Sequence, residues 1–193
     1  MLQYEIIVDH GETPNKCTIL PLAYRSDFRI FRPKDPKTLQ AEVLLHPEGR
    51  CLSEWKQSSL ASARLAAIDC VWRRLDPILD ALSEQPPHRF KIPQGFVTAY
   101  PRVSKKDYDP EGGLATIEAI FIAAAFMGSW DLSLLREYFF ADEFLRLNES
   151  LFRHYEIWGG IEGKVYDPSQ AKNARTRRLG RGRMPKEEQA LVQ

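Results

Sequence analysis

The sequence predicts a three-layer α/β domain built on a mostly parallel sheet, and three observations predict it. Short apolar runs, each closed by polar or turn-forming residues, recur at 4–10, 28–31, 41–47, 64–69 and 95–101. Segments with helical spacing lie between them. After the last run the chain turns helical, so helical layers are expected on both faces of a parallel sheet.

The first two strands are read from "YEIIVDH" and "FRIF", the next three from "AEVLLHP", "RLAAID" and "GFVTAYP". Those last three are nearly continuous in apolar character, as in strands covered on both faces. A helix is expected from Ser53, a good N-cap, and another over 73–84, where Leu75, Ile78, Leu79 and Leu82 recur at helical spacing. Pro77 falls near the start of the second, where a missing N–H costs little. Residues 114–128 place Ile117, Ile120, Phe121 and Ala124 on one helical face. Asp131 caps a further helix, and 141–158 align Phe144, Leu147, Leu151 and Tyr155. The polar loop 102–113 directly follows the fifth apolar run, and loops after strand C-termini bind ligands in open α/β sheets.

The 193 residues suffice for one sizeable core. Formal net charge is +1 and decides nothing about partners, but its distribution is uneven. From Gly159 to Gln193 there are eight Lys/Arg against four Asp/Glu, and 171–186 hold seven basic residues and no acid. Three scattered cysteines, four scattered histidines and no CxxC or HExxH argue against a disulfide framework and a structural metal. The most apolar stretch is 15 residues long and contains Glu118, against roughly 20 for a membrane span. The start "MLQYEIIVDH" lacks the pattern of a secretory leader, so a soluble cytoplasmic protein is expected. No GxxxxGK[ST], GxGxxG or GxSxG occurs, which sets aside the enzyme classes carrying those signatures.

What remains is a crevice at the strand ends. Asp9 and Asp69 each close a strand, and in a parallel sheet both are expected to face one crevice. Asp69 fits a helix cap as well as a ligand contact, and Trp72 fits a core side chain as well as a site wall. Glu118 suits a helix start or a loop contact, and "NKCTILPLA" suits an ordinary loop. Residue types alone leave these alternatives open.

Five blocks in order resemble the rRNA aminocarboxypropyltransferases of ribosome biogenesis, a SPOUT-like family. "AAIDCVW" is similar to its D-C-S-W segment, "NKCTILPLA" to K-C-T-G-x-x-L-A, and "LLHPEGRCLSEWKQ" to its strand–P-x-G–L-S-x-x-D segment. "LATIEAI" resembles L-S-T-V-E-A-L, and "YFFADEFLRLNESLFRHY" resembles F-K-W-G-x-x-F-L-x-L-N-x-x-L-x-x-Y. Together the blocks span about residues 4–156. Val71 stands where the family has Ser, and "AYP" at 99–101 where it has A-N-P. The related tRNA enzymes carry D-T-W, so D-C-V-W matches the rRNA branch better.

The resemblance implies an enzyme that binds S-adenosyl-L-methionine (SAM) in a C-terminal trefoil knot and transfers its 3-amino-3-carboxypropyl group to a uridine or pseudouridine. The RNA implied is small-subunit rRNA, and a monomer without metal is expected. By position, Thr18 would contact the methionine carboxylate through its backbone, Leu45 and Pro47 would line the nucleoside pocket, and the backbone of Ile68 would hold the ribose. Asp69 would lie beside the amino acid chain, as the best general-base candidate, and Trp72 would wall off the methyl group. Val97, Leu114 and Thr116 would surround the adenine. A sulfonium cation favours an aromatic face and a nearby carboxylate, so the residue types suit that chemistry. The division implied is an N-terminal segment 1–50 contributing to the SAM site, a catalytic region 51–158 and a basic tail 159–193. A tRNA-directed enzyme, a SPOUT methyltransferase and a non-catalytic RNA-binding assembly factor are the competing readings.

Overall fold

The computed structural model describes residues 2–9, 17–32, 39–55, 63–101 and 113–170. Most of the helix expected from Ser53, nearly all of the loop at 102–113 and the basic run 171–186 lie outside them.

Five strands form one sheet: β1 (Gln3–Val8), β2 (Phe28–Phe31), β3 (Val43–Cys51), β4 (Arg64–Asp69) and β5 (His88–Lys91), in the order β2-β1-β4-β3-β5. Every pairing is parallel, so all strand C-termini share one edge. The later strand β4 is inserted between the earlier strands β1 and β3. Strand alternation sorts the side chains into two cores. Tyr4, Ile6, Val8, Val43, Leu65 and Ala67 face the larger cluster, while Ile7, Leu44 and Ala66 face a smaller one with Leu75, Ile78, Leu79 and Leu82.

The smaller core is closed by α1 (Leu75–Asp80), whose expected apolar stripe is buried. The larger is closed by α2 (Thr116–Phe126) and α3 (Ala141–His154). Unlike the one-faced helix expected, α2 is buried from Ile117 to Ala125 on nearly every side, because it lies inside this core rather than on its surface. Aromatic rings lock it to its surroundings edge to face: Phe121 meets Trp130, Phe144 and Phe152 at centroid distances of 4.9, 6.2 and 5.9 Å. Residues after Asp131 form a tight 3-10 turn, Leu132–Leu135, in place of an α-helix, with the Asp131 carboxylate accepting from the Ser133 N–H at 3.0 Å. In α3 the inward face is Ala141, Phe144, Leu145, Asn148 and Phe152, and Leu147, expected inside, is 37% exposed.

The fifth strand is not at 95–101. That segment starts with Gly95 at φ 101°, a left-handed conformation that suits glycine and interrupts an extended chain. Its N–H groups then go to side chains: Val97 to Asn148 Oδ1 at 2.7 Å, Ala99 to Glu118 Oε1 at 2.9 Å, Tyr100 to Thr98 Oγ1 at 3.0 Å. With its donors taken, the segment has no ladder to join. The edge strand is the polar "HRFK" of β5, of which only Phe90 is buried.

β3 and β4 part company soon after β3 begins. Their ladder stops at Leu44↔Ala66, whereas β4 pairs with β1 as far as Val8↔Asp69. Beyond Leu45, β3 bulges, so that Leu45 and Arg50 both stand opposite Phe90. Gly49 closes the neck of this bulge: a Cβ there would lie 2.5 Å from the Phe90 nitrogen. The two strands thus splay apart, with the β3 bulge on one side and the end of β4 on the other.

Candidate functional site

Asp69 ends β4 on the face of the larger core and is 8% exposed. The Cys17 thiol donates to its Oδ2 at 3.0 Å and the Thr116 hydroxyl to its Oδ1 at 2.6 Å. Burial is the main cause that pushes the Cys17 thiol well above its usual range, followed by the charge of Asp69 and the hydrogen bond to it. The thiol therefore stays protonated and able to donate. Three remote segments thus meet on one carboxylate: the 17–19 loop, the tip of β4 and the first residue of α2.

Asp9 does not share that crevice. Its backbone N–H donates to the Asp69 carbonyl at 2.9 Å, but alternation along β1 sends its side chain to the α1 face. There its Oδ2 meets Arg74 Nε at 2.6 Å. The two acids that close neighbouring strands have separate partners on opposite faces.

Trp72 opens a short helical turn, Trp72–Arg74, just after β4. It is half-buried and belongs to neither apolar cluster among the described residues, unlike Trp55, Trp130 and Trp158. Leu45 is half-buried before the bulge and packs on the larger core, whereas Pro47 is exposed within the bulge. Ile68 is half-buried and lies beyond the last β3–β4 pair. Thr18 is half-buried beside Cys17. The structure thus brings Thr116 onto Asp69, with Thr18 next in sequence to the bonded Cys17, Trp72 three residues past Asp69, and Leu45 and Pro47 on the β3 side of the splay.

Val97 is 48% exposed and Leu114 half-buried against the larger core. A buried acid fixes their neighbourhood. Glu118 accepts from Thr98 Oγ1 at 2.7 Å, Ala99 N at 2.9 Å, Ala115 N at 2.7 Å and Tyr138 Oη at 2.7 Å. Its reach back to Ala115 is half of a capping box, since alanine has no side-chain acceptor to return the bond. Asn148 holds the same segment through Val97, receiving its N–H at 2.7 Å and donating to its carbonyl at 2.8 Å.

Three contributors were not legible as site residues. Cys17 is 52 positions from Asp69, Glu118 read equally well as a helix-start acid, and His46 sat inside an apparent strand. His46 is buried in the β3 bulge, its Nδ1 accepting from the Glu48 N–H at 3.2 Å. Its Nε2 is without a hydrogen-bond partner among the described residues. No group of three or more potential metal ligands occurs among the described residues, and none of their helices is long and apolar enough to cross a membrane.

Residues 43–160 match the family model described as "Ribosome biogenesis protein, C-terminal". That segment holds β3, β4, β5 and all three helices, while Cys17 and strands β1 and β2 precede it. No curated protein matches the chain. A solved structure that does is the SAM-dependent rRNA:acp-transferase Tsr3 from Vulcanisaeta distributa, with a TM-score of 0.57 and 19% sequence identity. The alignment covers 93% of this chain and 98% of that one, so the whole α/β fold is shared rather than one motif. The family match spans more than half of the residues and contains the Asp69–Trp72 turn, and on it the chain belongs to the ribosome biogenesis protein C-terminal family.

Proposed function

We propose that the protein transfers the 3-amino-3-carboxypropyl group of SAM to a uridine or pseudouridine base of rRNA during small-subunit maturation, releasing methylthioadenosine. The carrying observation is Trp72: half-buried, outside both cores among the described residues and three residues past the end of β4. An indole in that position offers the apolar, electron-rich face that a sulfonium centre prefers. The name of the solved Tsr3 structure, a SAM-dependent rRNA transferase, supports the same reading. So does membership of a ribosome biogenesis family.

The co-substrate supplies an activated carbon next to a positively charged sulfur. A ring nitrogen of the base forms the new C–N bond to that carbon as the C–S bond breaks, and the sulfur leaves with the electron pair as a neutral thioether. The chain's task is orientation: Trp72 shields the methyl carbon, Leu45 and Pro47 line the nucleoside, and Ile68 presents backbone groups where its ladder to β3 has ended. Thr18 contacts the methionine carboxylate, and Val97, Leu114 and Thr116 border the adenine. We read the fold as SPOUT-like and knotted, a topology suggested by the late insertion of β4 between β1 and β3. The kinship to D-T-W tRNA enzymes is part of this proposal, as are a monomeric cytoplasmic protein and the division at residues 50 and 158. The basic run 171–186 would contact RNA phosphates without reading sequence.

The test supplies rRNA with SAM labelled either in the carboxypropyl chain or in the methyl group. Only the first label is expected in RNA, in a modified uridine or pseudouridine. Methyl label in RNA would favour a methyltransferase, label in tRNA alone a tRNA enzyme, and no label a binding factor.

A further inference from the structure

Five carboxylates are buried among the described residues: Glu5, Asp9, Asp27, Asp69 and Glu118. Three of them have an arginine. Glu5 meets Arg29 at 3.0 Å, Asp9 meets Arg74 at 2.6 Å and Asp27 meets Arg25 at 2.7 Å. Glu118 has no cation but accepts from four neutral donors. Asp69 differs from all four. Each of its oxygens has one neutral donor, and no Lys, Arg or His among the described residues lies within ion-pair distance. A buried carboxylate with neither a counter-ion nor a full set of donors is costly. This one keeps a little exposure, at the tip of β4 beside the β3–β4 splay.

We infer that Cys17 and Thr116 form a donor pair that fixes Asp69 as a charged acceptor for the cationic aminocarboxypropyl end of the co-substrate, both acting as positioning residues. The inference rests on the SAM reading above and narrows it. The Thr116 hydroxyl donates to Oδ1 at 2.6 Å, a length compatible with a charge-assisted bond. The Cys17 thiol can serve only as the donor in its pair, because Asp69 is an acceptor. With a donor on each oxygen, Asp69 is held in place and keeps acceptor capacity for a third group. Asp69 then attracts the ammonium and sulfonium charges, and the proton released by the RNA base goes to water.

Calorimetry with two ligands tests this. SAM carries the cationic chain, whereas methylthioadenosine keeps the nucleoside and lacks both the chain and the charge. Cys17→Ala and Thr116→Val should each weaken SAM binding about fivefold to tenfold, the effect of losing one ordinary hydrogen bond, since each donor acts through Asp69 and not on the ligand itself. For Cys17→Ala methylthioadenosine affinity should change by less than about twofold, since the contacts of that ligand lie elsewhere. Cys17→Ser should restore SAM binding by supplying a hydroxyl donor. In an Asp69→Asn background Cys17→Ala should add no further loss. If Cys17→Ala does not fold, Cys17→Val, which keeps the volume and removes the donor, carries the same comparison. Equal losses for both ligands, unchanged SAM affinity, or additive losses with Asp69→Asn would overturn the inference while leaving the SAM reading intact. Failure of the wild-type protein to bind SAM would overturn both.

Discussion

Glu118 and Asp69 are acids at opposite ends of one line of contacts, and they are held in different ways. Glu118 is fully buried and draws in two backbone N–H groups and two hydroxyls, joining the 98–99 segment, the start of α2 and Tyr138. Asp69 is slightly exposed and draws in two side chains, one of them a thiol. Thr116 and Glu118 are two residues apart on the first turn of α2, so the scaffold acid sets the helix end from which the site acid takes a donor. A saturated acid serves the frame. An unsaturated one at a mouth has capacity left for a ligand.

The largest expected effect lies on the frame. Glu118→Leu takes this acceptor from two buried and two half-buried donors, at a cost of about 3–5 kcal/mol. In a chain of this size that lowers the melting temperature by roughly 10 °C. Thermal unfolding measures it, and a shift under about 2 °C would erase the distinction between the two acids. Glu118→Gln keeps part of the acceptor capacity and should fall between.

Next in size is Trp72→Ala. Loss of an aromatic face from a desolvated cation costs about 2 kcal/mol, close to a thirtyfold rise in SAM Kd by titration calorimetry. Because Trp72 packs in neither core, unfolding free energy should change by under about 1 kcal/mol. The reverse outcome, large destabilisation with normal SAM binding, would make Trp72 a core residue and remove it from the site.

The sequence made the frame more legible than the partnerships within it. Four strands and the inward stripe of α1 were readable because apolar runs and helical spacing report burial directly. "GFVTAYP" misled for a physical reason: its apolar residues are real, but Glu118 and Asn148 capture its N–H groups. β5 was invisible because an edge strand of "HRFK" buries only Phe90. In α3 the buried Asn148 occupies an inward position that hydropathy assigns to solvent, which displaced the expected stripe onto Leu147. At the site, the strand-end position of Asp69 was legible from its apolar run. That Cys17 would donate to it, or that Asp9 would turn to Arg74, depends on contacts between distant segments that no local pattern encodes.

The smallest expected effect concerns a third buried polar group, His46, which belongs wholly to neither pattern. Its ring is neutral in the fold, because burial first and Arg89 second lower its pKa, against weaker opposing pulls from Glu48 and Asp76. With Nδ1 accepting from Glu48, the ring proton resides on Nε2. Protonating Nδ1 would break that bond and place a charge in the β3 bulge. In the unfolded chain the same imidazole takes up a proton near pH 6.5. The contribution of His46 to stability is therefore complete above about pH 6.5 and declines as pH falls from there towards the lowered folded value. The slope cannot exceed about 1.4 kcal/mol per pH unit, the limit for one proton. Urea unfolding between about pH 7.5 and 5.5 should show this decline in the wild-type protein and a shallower one in His46→Gln, whose amide can still accept from Glu48. Parallel curves for the two proteins would mean that His46 protonates as readily in the fold as out of it, and that the β3 bulge tolerates the charge.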